Sequence, residues 1–296
     1  MATLARFGAV GCAMVTPFDA EGRLDVDGAV SLARWLCSKG NDFLVLAGTT
    51  GESPVLSDDE KATLWRAVSE TVTVPVIAGT STADTRHSVE LTNLAVRSGA
   101  AGILAVVPYY NRPPQSGIEA HIRAIAGAAG KLPVLLYDIP VRTGRKAAQD
   151  VIIRLAQDGA IVGVKDATGN PAGAAALLAA APPGFELYSG NDSDTLPLLA
   201  VGAVGTISVE SHWAAEVVGE MIAAFHKGDV EHARDLNTRL VPSHLFQSTD
   251  DAPNPIPAKA MLRTLGLPSG ECRPPMGPGP EGIEDRARRV FAHLHG

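Results

Sequence analysis

The fold of this chain is decided by residues 134–169, VLLYDIPVRTGRKAAQDVIIRLAQDGAIVGVKDATG. The stretch begins with an apolar run, residues 134–137, and carries a second one at residues 161–165, and the interval between them has room for one helix. Such a strand-helix-strand unit predicts two neighbouring parallel strands. The second run ends in Lys165, so an amine lies where a buried strand should meet a loop.

The same alternation of strand and helix recurs along the chain, as short apolar runs separated by helix-like segments. Eight runs are present, at residues 9–15, 43–47, 74–78, 103–107, 134–137, 161–165, 186–189 and 205–209. Their starts mostly lie about 25 to 35 residues apart, and β-branched runs that alternate with helices predict a parallel sheet. An open doubly wound sheet would normally show a GxGxxG loop after its first strand, which residues 8–22 lack. We therefore predict an α/β fold of the TIM (β/α)8 barrel type.

The C-terminal part of the chain continues as helices alone. No strand-like run follows residue 209, while residues 213–226, 230–240, 257–265 and 281–295 have helical patterns. The Pro- and Gly-rich residues 268–280 predict an irregular connector. We expect residues 1–226 to form a barrel that carries the active site, and residues 227–296 to form a C-terminal helical domain.

Composition and charge exclude several kinds of partner. The 296 residues are 46% hydrophobic, and the net charge of −7 comes with scattered Lys and Arg, so no basic surface for nucleic acid or an anionic membrane is expected. The three cysteines, Cys12, Cys37 and Cys272, lack paired metal spacing, and the histidines lack ligand spacing with carboxylates, so no metal site is predicted. No long apolar stretch or leader pattern indicates membrane insertion or export. We expect a cytoplasmic protein that binds small molecules.

The ends of the predicted strands carry polar groups, and the catalytic face of a TIM barrel lies at those ends. After the second strand, Gly48-Thr49-Thr50-Gly51 could direct backbone N–H groups and two hydroxyls at one spot, which suits a carboxylate or a phosphate. A P-loop needs a lysine after its second glycine, whereas Glu52 follows here, so that alternative fails. On this local pattern alone, a plain strand-to-loop turn remains open.

Lys165 is the first candidate for chemistry. Apolar neighbours remove water from its ammonium group, which lowers the pKa and leaves free amine that can attack a ketone carbon. Gly163 should face the same side of the strand and leave empty volume beneath the amine. The alternative is an ion pair with Asp166 or another acid. The remaining lysines fall in loops or on predicted helices, where we expect solvated charge: Lys39, Lys61, Lys131, Lys146, Lys227 and Lys259.

Tyr137 and Arg142 complete the local pattern. Tyr137 ends the strand next to that of Lys165, so a phenol and an amine can form a proton-transfer pair; a rim tyrosine with a solvated hydroxyl is the alternative. Arg142 lies in a loop bounded by Pro140 and Gly144. Its planar guanidinium could bind a second carboxylate there, unless it is a solvated loop arginine. These residues favour amine chemistry.

Longer motifs carry a resemblance to a known family. They are GTTGES at residues 48–53, PYYNRP at 108–113, YDIP at 137–140 with RTG at 142–144, VKDATG at 164–169, SGND at 189–192, GTISV at 205–209 and NPIPAK at 254–259. In this order and spacing they resemble the dihydrodipicolinate synthase (4-hydroxy-tetrahydrodipicolinate synthase) family, part of the pyruvate-dependent class I aldolase and N-acetylneuraminate lyase superfamily. The resemblance covers nearly the whole chain.

The resemblance implies a lyase that works through a Schiff base. Lys165 would form the imine with pyruvate, so no other cofactor is expected, and Thr49 and Thr50 would hold the pyruvate carboxylate. Tyr137 would shuttle protons. Thr49 would link it to Tyr110, which in this family reaches in from the neighbouring subunit of a homotetramer built as a dimer of dimers.

The acceptor implied by the resemblance is L-aspartate 4-semialdehyde. Arg142 would bind its carboxylate, and Gly48, Gly190 and the main chain at Ile207 would line the substrate pocket. The product would be 4-hydroxy-tetrahydrodipicolinate, an intermediate of lysine and diaminopimelate biosynthesis. Sister enzymes leave an alternative, an aldolase or dehydratase that acts on a 2-keto-3-deoxy sugar acid. A non-catalytic barrel that binds an oxo acid is a third hypothesis.

Some positions depart from the family pattern. Asp138 replaces a common asparagine, and residues 210–212, Glu-Ser-His, replace the usual small or amide residues. Lysine-inhibited members bind lysine through histidine, asparagine and glutamate side chains. The matching positions here are Asp58, Lys61, Ala83 and His87. The resemblance therefore implies weak or absent feedback inhibition by lysine.

Overall fold

Eight parallel strands close into one barrel in the computed structural model, which describes residues 5–296. The strands are β1 (Val10–Ala13), β2 (Phe43–Leu46), β3 (Val76–Gly79), β4 (Gly102–Val106), β5 (Val134–Asp138), β6 (Gly163–Asp166), β7 (Glu186–Ser189) and β8 (Gly205–Ser208). Each strand pairs with the next along the chain, and β8 closes the barrel by pairing with β1. Every predicted run overlaps a strand, with bounds that differ by a few residues, so the TIM barrel prediction is confirmed.

Helices follow the strands and pack around the barrel. They are α1 (Val26–Ser38), α2 (Asp58–Ser69), α3 (Thr85–Arg97), α4 (Gln115–Ala129), α5 (Pro140–Thr143), α6 (Gln149–Gln157), α7 (Pro171–Ala180), α8 (Thr195–Ala200), α9 (Ser211–His226), α10 (Val230–Phe246), α11 (Ile256–Thr264) and α12 (Ile283–His295). Local sequence sets where they begin. At the start of α2, Ser57 Oγ accepts from the Glu60 N–H at 3.2 Å, and the Glu60 carboxylate accepts from the Ser57 N–H at 2.9 Å.

The C-terminal helices pack beside the barrel, and residues 268–280 form the irregular connector between α11 and α12 that the sequence predicts. Helix α10 continues to Phe246, so the predicted end at residue 240 was wrong. Trp213 of α9 contacts the last turn of α10: its Nε1–H donates to Ser243 Oγ at 3.0 Å, and its ring meets the ring of Phe246 edge-on. This contact stabilises the turn in which Pro242 removes a backbone hydrogen-bond donor from the helix.

The division into domains stays a prediction. Helices α9 and α10 pack closely across the expected boundary between residues 226 and 227. The first four residues of the predicted barrel domain lie outside the described range.

Aromatic rings fill the barrel interior near the starts of the strands. Phe43, the first residue of β2, meets Tyr188 edge-on with 5.6 Å between ring centroids, and Phe7 packs against Phe43 at 5.8 Å. All three side chains are buried. Because this end is filled, the space for a substrate lies at the opposite end, where the strands lead into the loops.

Candidate active site

Lys165 and Tyr137 stand side by side inside the barrel. They are partners in the register of β5 and β6, and Lys165 Nζ lies 4.3 Å from the centroid of the Tyr137 ring. Lys165 is 5% exposed. Within residues 5–296 the lysines that form ion pairs are Lys39 and Lys259, so the alternative of an ion pair with Asp166 is not realised there.

Burial lowers the pKa of Lys165 to about 8. The Asp192 carboxylate acts against this effect, and the Arg142 guanidinium adds to it. Burial is the main cause, because desolvation penalises the charged ammonium form. At a pH near 8, about half of the molecules therefore carry a neutral amine that can act as a nucleophile.

Gly163 does not leave space beneath this amine, so that prediction was wrong. A Cβ built on it would lie 2.3 Å from the carbonyl oxygen of Glu186 on β7. Glycine is needed here because the backbones of β6 and β7 approach too closely for a side chain. The room for a substrate lies above the strand ends instead.

A cavity of about 410 Å³ opens at that end of the barrel. Five of the predicted site residues line it: Gly48, Thr49, Tyr110, Tyr137 and Arg142. The connector between α11 and α12 supplies part of the opposite wall. A space of this size suits a small-molecule substrate.

The other four predicted site residues lie outside the cavity wall. Thr50 and Lys165 are buried behind it, and Ile207 packs in the barrel interior. Gly190 donates its N–H to the Asp166 carbonyl oxygen at 2.7 Å. Lys165 is joined to the cavity lining through Tyr137, whose ring centroid lies 4.3 Å from its Nζ.

The Tyr137 hydroxyl remains protonated at neutral pH. Burial raises its pKa to about 12, while the neighbouring Thr49 hydroxyl and the charge of Arg142 act in the opposite direction. A buried phenol in this state can donate a proton, and the amine beside it can accept one. The pair therefore supplies both partners of a proton transfer.

Asn254 connects the threonine turn to Arg142. Its side-chain Nδ2–H donates to Thr50 Oγ1 at 2.9 Å, and its backbone carbonyl oxygen accepts from Arg142 Nη2 at 3.4 Å. Because the Thr50 hydroxyl already accepts one hydrogen bond, its own proton is available to an anion. The sequence pattern does not predict this role of Asn254, because 204 positions separate it from Thr50 and only the folded chain joins them.

A buried ion pair fixes the turn at residues 48–51. Glu52 follows the turn in a left-handed conformation with φ 55°, and its Oε1 lies 2.6 Å from Lys259 Nζ. Its Oε2 accepts from the Arg273 N–H at 2.9 Å. The solvated charge predicted for Lys259 is wrong, because the side chain is fully buried, and it is also wrong for Lys61, whose burial lowers its pKa.

A polar network that sequence analysis missed influences Lys165. Asp192 Oδ2 accepts from the N–H groups of Val209 and Glu210 at 2.9 and 3.1 Å, and Glu210 Oε1 lies 3.1 Å from His244 Nε2. Burial raises the pKa of Glu210 well above its usual range and lowers that of His244, so it disfavours the charged form of both partners. In the sequence, the feature that points to this network is Glu210, which departs from the family pattern.

The described part of the chain shows no metal centre, as residues 5–296 contain no group of three or more His, Cys, Asp or Glu side chains arranged to hold an ion. In the same range, none of the helices has both the length and the hydropathy needed to cross a bilayer. The three cysteines are unpaired, and Cys12 and Cys272 are buried.

The chain is similar to known proteins in sequence and in fold. The sequence model of the Dihydrodipicolinate synthetase family matches residues 6–293. A 4-hydroxy-tetrahydrodipicolinate synthase from Acidothermus cellulolyticus is 49% identical over 274 residues, which are 92% of this chain and 87% of that protein.

Solved structures agree with the sequence comparison. The dihydrodipicolinate synthase from Cyanidioschyzon merolae with lysine bound has a TM-score of 0.95 and 41% identity, over 98% of this chain and 99% of that one. A monomeric dihydrodipicolinate synthase variant has a TM-score of 0.91 and 34% identity, over 97% of this chain and 96% of that one. The chain belongs to the dihydrodipicolinate synthetase family.

Proposed function

We propose that this chain is a lyase that condenses pyruvate with L-aspartate 4-semialdehyde to 4-hydroxy-tetrahydrodipicolinate, in lysine and diaminopimelate biosynthesis. The observation that carries the proposal is the buried amine of Lys165, which has a pKa of about 8 and lies 4.3 Å from the ring centroid of Tyr137. Family membership and the names of the relatives support the choice of substrates.

The first step is imine formation on Lys165. Its neutral amine attacks the C2 carbonyl of pyruvate, and the resulting carbinolamine loses water to give a protonated Schiff base. The departing hydroxyl takes a proton from Tyr137, whose pKa of about 12 keeps it protonated beforehand, and leaves as water. The nitrogen keeps its own proton, so the product is an iminium beside a Tyr137 phenolate. The iminium activates the methyl carbon, so this covalent bond takes the place of a cofactor.

The carbon–carbon bond forms in the second step. The Tyr137 phenolate takes a proton from the methyl carbon, which gives an enamine. The enamine attacks the aldehyde carbon of the semialdehyde, and Tyr137 returns the proton to the aldehyde oxygen, which becomes a hydroxyl. The amino group of the acceptor then attacks the imine carbon and displaces the Lys165 amine as the ring closes. One water is released overall, and the enzyme returns to its free form.

The pyruvate carboxylate is assigned to the threonine turn, residues 48–51. The Thr50 hydroxyl has its proton available because Asn254 donates to its oxygen, and the Thr49 hydroxyl lies in the cavity wall. Gly190 and the main chain of Ile207 are assigned to the deeper wall around the keto group. A carboxylate held there brings the C2 carbon towards Lys165.

The acceptor carboxylate is assigned to Arg142. This side chain lines the cavity, and its guanidinium makes a long hydrogen bond of 3.4 Å to the Asn254 carbonyl oxygen. A carboxylate is a stronger, charge-assisted acceptor and can take the guanidinium in bidentate geometry. The alternative substrates, 2-keto-3-deoxy sugar acids, lack an acceptor carboxylate of this kind, and the names of the relatives do not favour them.

We propose a homotetramer in which Tyr110 enters the site of a neighbouring subunit. Tyr110 is 92% exposed and held at a φ of 70°, and it lines the mouth of the cavity. A large aromatic side chain in a strained backbone conformation, with almost no cover in its own chain, is suited to an interface.

We also propose the cytoplasm as the compartment of this protein. The unpaired cysteines support this proposal, because a reducing compartment keeps thiols free.

Borohydride trapping tests the imine. We expect pyruvate and borohydride to add one reduced pyruvyl group to Lys165, read by peptide mass spectrometry, and Lys165→Ala to lose label and on the order of 10⁴-fold or more in kcat. Lys39→Ala removes an exposed lysine and serves as the matched control. Turnover by Lys165→Ala at a rate near that of the unmodified chain would exclude the imine mechanism.

A coupled assay tests the acceptor. We expect kcat/KM for aspartate semialdehyde with pyruvate to exceed that for cleavage of 2-keto-3-deoxygluconate by at least about 100-fold. Arg142→Lys should raise KM for the semialdehyde about tenfold and leave pyruvate trapping intact, because lysine cannot bind a carboxylate in bidentate geometry. A preference for the sugar acid would overturn the assignment.

We also propose weak or absent feedback by lysine. Asp58 and His87 satisfy each other, with His87 Nε2 3.0 Å from the carboxylate, and Lys61 supplies no carboxylate or amide oxygen that could bind the effector's ammonium group. The expected result is a rate that changes less than about twofold in millimolar lysine. Strong inhibition at that concentration refutes the proposal.

A further inference from the structure

A second cavity, of about 400 Å³, lies on the outer side of β5 and β6, beneath helices α6 and α7. Side chains alternate along a strand, so the residues that follow Tyr137 and Lys165 point away from the active site. These residues are Asp138 and Asp166, which are partners in the register of the two strands. Both line the second cavity, which therefore backs directly onto the catalytic pair.

Asp138 carries a buried oxygen that no protein group satisfies. Its side chain is 1% exposed, and Oδ1 accepts from the Ala147 N–H at 3.3 Å. Oδ2 is fully buried and has no hydrogen-bond partner among residues 5–296. Burial raises the pKa of this carboxyl to about 7, and the nearby charge of Asp166 adds to the shift. An unsatisfied buried carboxylate oxygen is costly, so it marks a place where a donor should bind.

Two more acceptors line the same cavity. The Thr168 hydroxyl is likewise buried without a partner in the described range. Asp166 accepts from the Thr168 N–H at 2.8 Å through one oxygen, which leaves further lone pairs on its carboxylate. Asp138, Asp166 and Thr168 thus present three oxygen acceptors from two adjacent strand ends.

The remaining walls determine which ligand fits. Ile152, Val164 and Leu177 supply apolar surface, and Lys146 lies at the exposed rim. Among residues 5–296 no three His, Cys, Asp or Glu side chains are grouped to hold a metal ion, whereas a primary ammonium has three N–H donors for the three acceptor groups of this cavity. We propose that this cavity binds a small aliphatic amine, with its ammonium group on Asp138, Asp166 and Thr168 and its stem against Ile152 and Leu177.

Two classes of ligand carry such an ammonium group, and binding measurements distinguish them. The ligand is either a simple alkylamine or an amino acid whose carboxylate reaches Lys146 at the rim. Suitable probes are pentylammonium, 5-aminopentanoate and pentanoate, titrated into the full chain by isothermal calorimetry. We expect pentylammonium and 5-aminopentanoate to bind and pentanoate to fail, because only pentanoate lacks the ammonium group.

Substitutions locate the binding. Asp138→Asn keeps the shape of the side chain and removes its charge, and it should weaken amine binding by at least about tenfold. Asp150→Asn makes the same exchange on the exposed surface of α6 and should bind like the original chain. Thr168→Val is the second variant, with a weakening of several-fold, and thermal melting verifies that each variant is folded.

The outcomes are decisive either way. Tighter binding of 5-aminopentanoate that Lys146→Gln removes identifies an amino acid, and equal binding of both amines identifies a simple amine; each supports the site. Absence of amine binding, equal binding of pentanoate, or full binding by a folded Asp138→Asn variant overturns it. Binding of potassium or magnesium chloride that depends on Asp138 while the amines fail would also overturn it.

Discussion

The dehydration of one ammonium group is the constraint on which the rest of the site depends. Strands of a closed parallel barrel are covered on both faces, so a lysine at the end of β6 cannot keep its full hydration shell. Its charged neighbours Asp192 and Arg142 act on its pKa in opposite directions, and burial decides the result. The same burial keeps Tyr137 protonated. One environment therefore prepares a nucleophile and a proton donor next to each other.

The C-terminal residues belong to this site as much as the barrel does. Asn254 joins the threonine turn to the arginine assigned to the acceptor. The ring of Phe18 lies near two cations, 4.1 Å from Lys259 Nζ and 4.2 Å from Arg273 Cζ. Both of these residues also bind the carboxylate of Glu52, which follows the threonine turn. A barrel without these contacts would leave the turn that receives pyruvate without its support.

The strands and the residues at their ends could be predicted from sequence, because a buried parallel strand reads as an apolar run and the barrel brings all strand ends to one face. Prediction failed where distant segments decide the surroundings of a residue. Lys259 looks like an ordinary helix lysine until Glu52 is beside it. The end of α10 depends on Trp213, and the reason for Gly163 is the distance between two backbones, which has no local signature.

The central claim is that the Lys165 amine loses its proton near physiological pH in the free protein. The most direct measurement is an NMR titration of the lysine ¹³Cε resonances in labelled protein without substrate, with Lys165 assigned by its loss in Lys165→Arg. Desolvation in the barrel predicts a midpoint near pH 8. A midpoint near 10.5, the ordinary value for a hydrated lysine, would contradict the account.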